Sequence, residues 1–201
     1  MRDWWLRTLL VLQRPRPVFV ALRDTDSGSL SDRSEPVLAI VILAGIAGAL
    51  ATHTAGSLLD DHDYDGLLVA IWAFLGGGLY GTFVYWFGGA LLHIGAKAAG
   101  SQGSYRRSRQ VLAFASVPIV LALVAWPVKL ALYGEDVFRS GGHDRGTGAH
   151  VFSAILLGAA IWSAVLLVIG VRSVHGWTWR RALAASTLAI AGLIAIAITS
   201  S

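Results

Sequence analysis

Apolar residues in this chain gather into five long runs instead of alternating with polar ones. The runs cover approximately 36–59, 67–96, 111–133, 149–171 and 182–199. A helix rises about 1.5 Å per residue, so about 20 apolar residues cross a hydrocarbon core of roughly 30 Å. The pattern predicts an all-α polytopic membrane protein: a bundle of five transmembrane helices behind a short amphipathic interfacial helix. Residues 1–35 form the N-terminal helix and linker, and residues 36–201 form the membrane domain. Composition agrees, with 55% hydrophobic residues, 14% charged residues and a mean hydropathy of +0.63. A water-soluble domain of this size carries far more charge.

Before the first run, residues 3–14 have helical periodicity. Asp3, Arg7 and Arg14 share one side of a 100° wheel, and Trp5, Leu9 and Leu12 fall opposite. Trp4 and Trp5 suit the headgroup layer, where an aromatic ring is half wet. Pro15 and Pro17 are expected to end this helix, because proline lacks the amide donor and restricts its predecessor. A Ser/Asp/Gly linker over Thr25–Glu35 follows, and Pro36 suits the first turn of span one. The 35 leading residues carry 11 charges, so no signal peptide is expected ahead of the spans.

The charges between the runs then set an orientation. Residues 1–35, the loop with Lys97, Arg106, Arg107 and Arg109, and the loop with Arg172, Arg180 and Arg181 hold 13 of the 16 basic residues. All three lie on one side if there are five spans. The opposite loops hold Asp60, Asp61, Asp63 and Asp65, then Glu135, Asp136, Arg139, Asp144 and Arg145. Translocation disfavours Lys and Arg, which predicts a cytoplasmic N-terminus, an external C-terminus and a multi-pass protein of the cell membrane. The net charge of +4 is explained by topology and by contact with anionic lipid headgroups, so no nucleic-acid partner is expected. Trp4, Trp5, Arg106, Arg107, Arg109, Arg180 and Arg181 are the candidate headgroup contacts.

Span two has the most distinctive internal pattern. Gly77, Gly81, Gly88 and Gly95 fall within roughly 40° of one another on a helix, a small-residue face that lets backbones approach. Span two is therefore expected to be the hub of the bundle. It is also too long to stand upright and should tilt or protrude. Span three carries Pro118 and Pro127 and should kink, with Ser116 at hand for a freed carbonyl.

Candidate chemistry is sparse. The chain has no cysteine, which excludes disulfides and thiolate ligands. No nucleophile–base spacing, His-Glu-x-x-His, phosphate-binding loop or paired carboxylate falls in the membrane region, so no catalytic residue and no cofactor are expected. Asp61, Asp63 and Asp65 with Gly66 match the opening of a calcium loop, but position twelve is Trp72 where a bidentate Glu is required. The intramembrane polar candidates are His53, Tyr80, Tyr85, His93, Ser116 and Lys129, grouped on spans one to three and their edges.

One segment carries more than topology. His93, Gly100, Gly103-Ser104-Tyr105 and Ala113-Phe114-Ala115-Ser116-Val117-Pro118 reproduce, in order, a motif series of the Yip family, especially its bacterial and archaeal branch. Gly78-Leu79-Tyr80-Gly81 is similar to the family's second span, and Arg14-Pro15 with Phe19 resembles its pre-membrane stretch. The resemblance implies five spans with the N-terminus inside. The family is named for interaction with Rab-type GTPases, but the long cytoplasmic domain of its eukaryotic members has no counterpart here. Two functions remain open. One is a non-enzymatic organiser of membrane or partner proteins, with anionic lipids and a second copy or another membrane protein as partners. The other is a transporter or translocator of a small molecule, ion or lipid, using a polar cavity among spans one to three.

Overall fold

The computed structural model describes residues 2–23, 35–61, 65–142 and 146–200. Among them the chain forms only helices and turns: α1 (Arg2–Gln13), α2 (Pro15–Arg23), α3 (Glu35–Leu50), α4 (Gly66–Ala98), α5 (Tyr105–Ala115), α6 (Val117–Ala122), α7 (Ala125–Tyr133), α8 (Thr147–His175) and α9 (Trp179–Ser200). Two 3₁₀ turns, Ala55–Asp60 and Gly134–Phe138, cap the acidic end. Four segments are long and apolar enough to cross a membrane, and α3 supplies a shorter fifth. The protein is a polytopic all-α bundle.

Each boundary has a local cause. Asp65 caps α4, its carboxylate accepting the Leu68 amide at 2.8 Å. The 33 residues of α4 reach about 50 Å at about 1.5 Å each, well beyond a hydrocarbon core of about 30 Å. It ends at Gly100, whose φ of 85° lets the Ser101 amide donate back to Ala96 O at 2.9 Å and the Gly100 amide to Lys97 O at 2.9 Å. Ser104 then caps α5 by accepting the Arg107 amide at 3.3 Å. The chain reverses within six residues.

The apolar run of span one continues to residue 59, but α3 stops at Leu50. The apolar residues beyond it serve the 3₁₀ turn, where Leu58 and Leu59 pack on Val69 of α4 beside Trp72 and Phe138. The proline pair near the N-terminus ends α1 but also opens α2. Pro15 and Pro17 occupy its first turn, where a missing amide forfeits no helical bond. The linker expected over 25–35 falls almost wholly outside the described residues.

Span three starts at Tyr105, six residues earlier than expected, and is broken into α5, α6 and α7. Each break lies just before a proline, with Pro118 and Pro127 falling in the first turns of α6 and α7. The backbone closes tighter turns there: Ile119 donates to Ser116 O at 2.9 Å, and Val124 to Leu121 O at 3.0 Å. The Ser116 hydroxyl donates to Ala113 O at 2.7 Å.

The helices form a ring in the order α3, α4, α9, α8 and α6, with α5 set among them. Span two touches α3, α5 and α9, but span three is the most enclosed. Of its most apolar stretch 44% is buried, against 22% in each of the other long spans. The main core lies towards the arginine-bearing end, where Leu92, Val111, Phe114, Leu166, Leu167 and Val171 are buried together. Helices α1 and α2 close that end. Thr8 and Val11 face inward from α1, while Leu9 and Leu10 stay exposed. Phe19 of α2 is fully buried against Val111 and the notch that Gly170 leaves in α8.

Candidate functional site

The glycines of span two meet different neighbours. A Cβ on Gly81 would strike the Val41 carbonyl oxygen and come within 2.9 Å of Gly45 Cα. One on Gly77 would come within 2.9 Å of the Ile46 amide nitrogen. These two therefore meet α3 backbone to backbone. Gly88 faces Leu112 of α5 and Leu193 of α9, and Gly95 meets the Ala185 carbonyl of α9. The small-residue face is occupied within the chain by two seams, one towards each end of α4.

The intramembrane polar candidates are not brought to one place. Tyr80 lies over Gly48, near the middle of the bundle. Tyr85 and His93 lie nearer the arginine-bearing end, and Ser116 is occupied by its own helix. His53 and Lys129 share a cavity, at the acidic end.

The densest polar arrangement is at the arginine-bearing end. Arg109, one turn into α5, lies within reach of three rings: Trp86 at 3.8 Å from the centroid, Tyr105 at 4.7 Å and Tyr85 at 5.2 Å. Tyr105 is fixed by donating its hydroxyl hydrogen to Trp86 O at 2.7 Å, and His93 stands edge-on to it at 5.7 Å. Gly89 leaves room for the Arg109 stem. Across the bundle, Arg172 lies over Trp179 at 4.5 Å, and Arg181 over Trp177 at 4.3 Å. Arg181 also donates from Nε to Ala99 O at 2.8 Å. A guanidinium on a ring face gains roughly 0.5–2 kcal/mol, depending on how far it is desolvated.

Two loops are tied together here. Ser101 Oγ lies 2.8 Å from His175 Nε2 and accepts the Gly103 amide at 2.9 Å. His175 Nδ1 lies 3.0 Å from Val171 O, a carbonyl that only accepts. Nδ1 must therefore carry the proton, and in the neutral ring Nε2 accepts from Ser101. The ring also stacks on Trp177 at 4.3 Å. Nothing in the sequence pointed to His175 and Ser101, which lie 74 residues apart, or to Trp86, which meets Arg109 from another helix; Trp177 carried no signal of its own beside them.

The electrostatics are one-sided. No Asp or Glu occurs between Asp65 and Glu135 or after Asp144, so Lys97, Arg106, Arg107, Arg109, Arg172, Arg180 and Arg181 have no carboxylate in their own loops. The Nε atoms of Arg109 and Arg172 are buried without a hydrogen-bond partner, facing rings instead of acceptors. Arg180 is exposed. The side chains of Trp4 and Trp5, two further candidate contacts, lie outside the described residues.

At the acidic end, Asp65 is used as a helix cap and Asp63 lies outside the described residues. Among the described residues no three His, Asp or Glu side chains group as metal ligands.

The family model of the Yip1 domain matches residues 9–199, taking in α2, every span and both loops of the arginine cluster. The chain belongs to the Yip family. Comparison with curated proteins and with solved structures gave no match. In this Yip domain the most conspicuous segment, Gly100 to Pro118, builds the reversal, the Arg109 aromatic box and the first break of span three.

Proposed function

We propose that this Yip-family membrane protein works without catalysis, organising the membrane around it through an arginine-bearing face on the cytoplasmic side of the plasma membrane. In this reading the N-terminus is cytoplasmic and the C-terminus external. The observation that carries it is the set of Arg109, Arg172 and Arg181, each held against indole or phenol rings and supplied with no carboxylate by its own loop. Stacking fixes the plane of a guanidinium and leaves edge donors for two oxygens of one anion, a bidentate geometry that suits lipid phosphate. Exposed Arg106 and Arg180 add long-range attraction to an anionic leaflet, about 1 kcal/mol per residue near the surface. Arg106 also sits in the first turn of α5, where a cation opposes the helix dipole and a neighbouring phosphate relieves it.

The transport reading is less well supported. It needs a continuous polar path among spans one to three, and the residues expected to line it occupy three separate levels of the bundle. The small-residue seams join helices of one chain, which favours a bundle that acts as a unit.

The test is lipid retention by the full chain in native mass spectrometry. Phosphatidylglycerol should be retained in preference to phosphatidylcholine, less so at high salt. Replacing Arg106, Arg180 and Arg181 together by Gln should reduce that preference several-fold. Equal retention of the two lipids by the unaltered protein would refute the headgroup-binding face.

A further inference from the structure

At the acidic end, opposite the arginine cluster, the bundle opens into a cavity of about 280 Å³ between the end of α3, α6–α7, the second 3₁₀ turn and the first turns of α8. Ala122 and Val137 are buried at its base, and Leu50, Trp126 and Leu156 form half-buried walls. Its charged lining residues are Lys129 and Arg139, and no carboxylate is among the lining residues described. Lys129 rises along the wall with Nζ 5.2 Å from the Trp126 ring centroid. Arg139 is held at the rim by donating from Nη1 to Leu59 O at 3.1 Å. His53, Ser140 and Ser153 complete an exposed polar rim.

A lysine that merely reaches for water needs no cavity beside it. Here cationic and hydroxyl groups ring the mouth of a space whose base is apolar, the layout of sites that orient a ligand by a few polar groups and bury the rest. Acidic residues stand close to the mouth: Glu135 Oε2 pairs with Arg139 Nη2 at 3.8 Å, and Asp60 accepts the Ser140 amide at 3.0 Å. Neither carboxylate is among the lining residues, so the charged groups the lining itself presents are the two cations. The first turn of α8 borders it too, and its dipole adds partial positive charge.

We propose that this cavity binds an organic anion: a phosphate or carboxylate head seated between Lys129 and Arg139, with an apolar portion against Ala122, Leu50 and Leu156. Its volume is at the small end for ligand sites, which suits a head and a short stretch of chain. A lipid of the adjoining leaflet and a free small amphiphile share that chemistry.

The experiment titrates the purified full chain, in uncharged detergent, with octyl phosphate, inorganic phosphate and octyl maltoside, following thermal unfolding. Octyl phosphate should raise Tm with a saturable midpoint, and the other two should not. Lys129→Gln should move the midpoint at least tenfold, and Lys129→Arg should retain it. Ser153→Phe, a rim substitution that fills the mouth, should abolish the response, which keeps the test sound if Lys129→Gln folds poorly. Prior reconstitution with phosphatidylglycerol should block the response if a lipid headgroup is the natural occupant and leave it intact if a free solute is. Identical midpoints for the unaltered protein, Lys129→Gln and Ser153→Phe would overturn the proposal. So would octyl maltoside stabilising as well as octyl phosphate, or inorganic phosphate alone saturating at the same concentration.

Discussion

Replacing Gly81 by Ala adds one methyl group where the structure leaves no room for it. The new Cβ would lie on the Val41 carbonyl oxygen and within 2.9 Å of Gly45 Cα, both backbone atoms of α3. Backbone cannot swing aside as a side chain can, so α3 and α4 must separate along their seam. Overpacking of this kind costs about 1–3 kcal/mol, and backbone obstruction places Gly81→Ala at the upper end. The substitution also gains about 1 kcal/mol of helix propensity. The net loss is about 2 kcal/mol, or a fall in Tm of about 4–8 °C on the scale of a chain this long. Gly78 provides the control. It lies in the same helix with no atom near its own Cβ position, so Gly78→Ala gains propensity alone and should raise Tm by about 2–4 °C. Thermal unfolding of both variants in one detergent, followed by tryptophan fluorescence, decides the matter. A Gly81→Ala protein as stable as Gly78→Ala would refute backbone contact between α3 and α4.

Two further outcomes are expected. Phe19→Ala empties a fully buried site between Val111 and Gly170, worth about 3 kcal/mol, so amide exchange over residues 15–23 should accelerate about a hundredfold by mass spectrometry; unchanged exchange would show that α2 is held by other contacts. A cysteine at Ser57 should react with a membrane-impermeant thiol reagent in intact cells, whereas one at exposed Gln102 should react only after lysis; the reverse pattern would invert the orientation.

The spans were legible because a bilayer imposes one requirement on sequence, a long apolar run, and α4, α8 and α9 meet it with little ambiguity. The end of span one was not legible for the same reason. Leu58 and Leu59 are as apolar as a span, and only their packing on Val69 shows that they belong to a turn. Pro15 signals a stop in the sequence and is also the first residue of α2, because proline at a helix start and proline after a helix end look alike until the next turn is seen. The reversal at Gly100 and Ser104 could be read locally, since both of its determinants act within five residues. The Arg109 box could be read only in part. Tyr105 lies one helical turn before it, whereas Trp86 reaches it only through the packing of α4 on α5. The Ser101–His175 pair joins positions 74 residues apart, and no periodicity signals such a meeting.

The ring order of the spans bears on how the protein is made. Span two is flanked by span one, its predecessor, and by span five, which leaves the ribosome well after it. The α3 seam at Gly45, Gly77 and Gly81 can form as soon as the first two spans are inserted, because Leu50 and Gly66, where α3 ends and α4 begins, lie close in sequence. The other seam, with Gly95 on Ala185 and Leu91 on Gly192, must wait until more than 80 further residues have been synthesised. During that interval the α9-facing stripe of α4 is bare in the lipid, open to any other small-residue helix nearby. A chain that terminates early, anywhere before Trp179, keeps that stripe bare permanently. Nascent and truncated chains are thus the forms most exposed to mispairing and to membrane quality control, while a chain that carries α9 buries Gly88 and Gly95 against it.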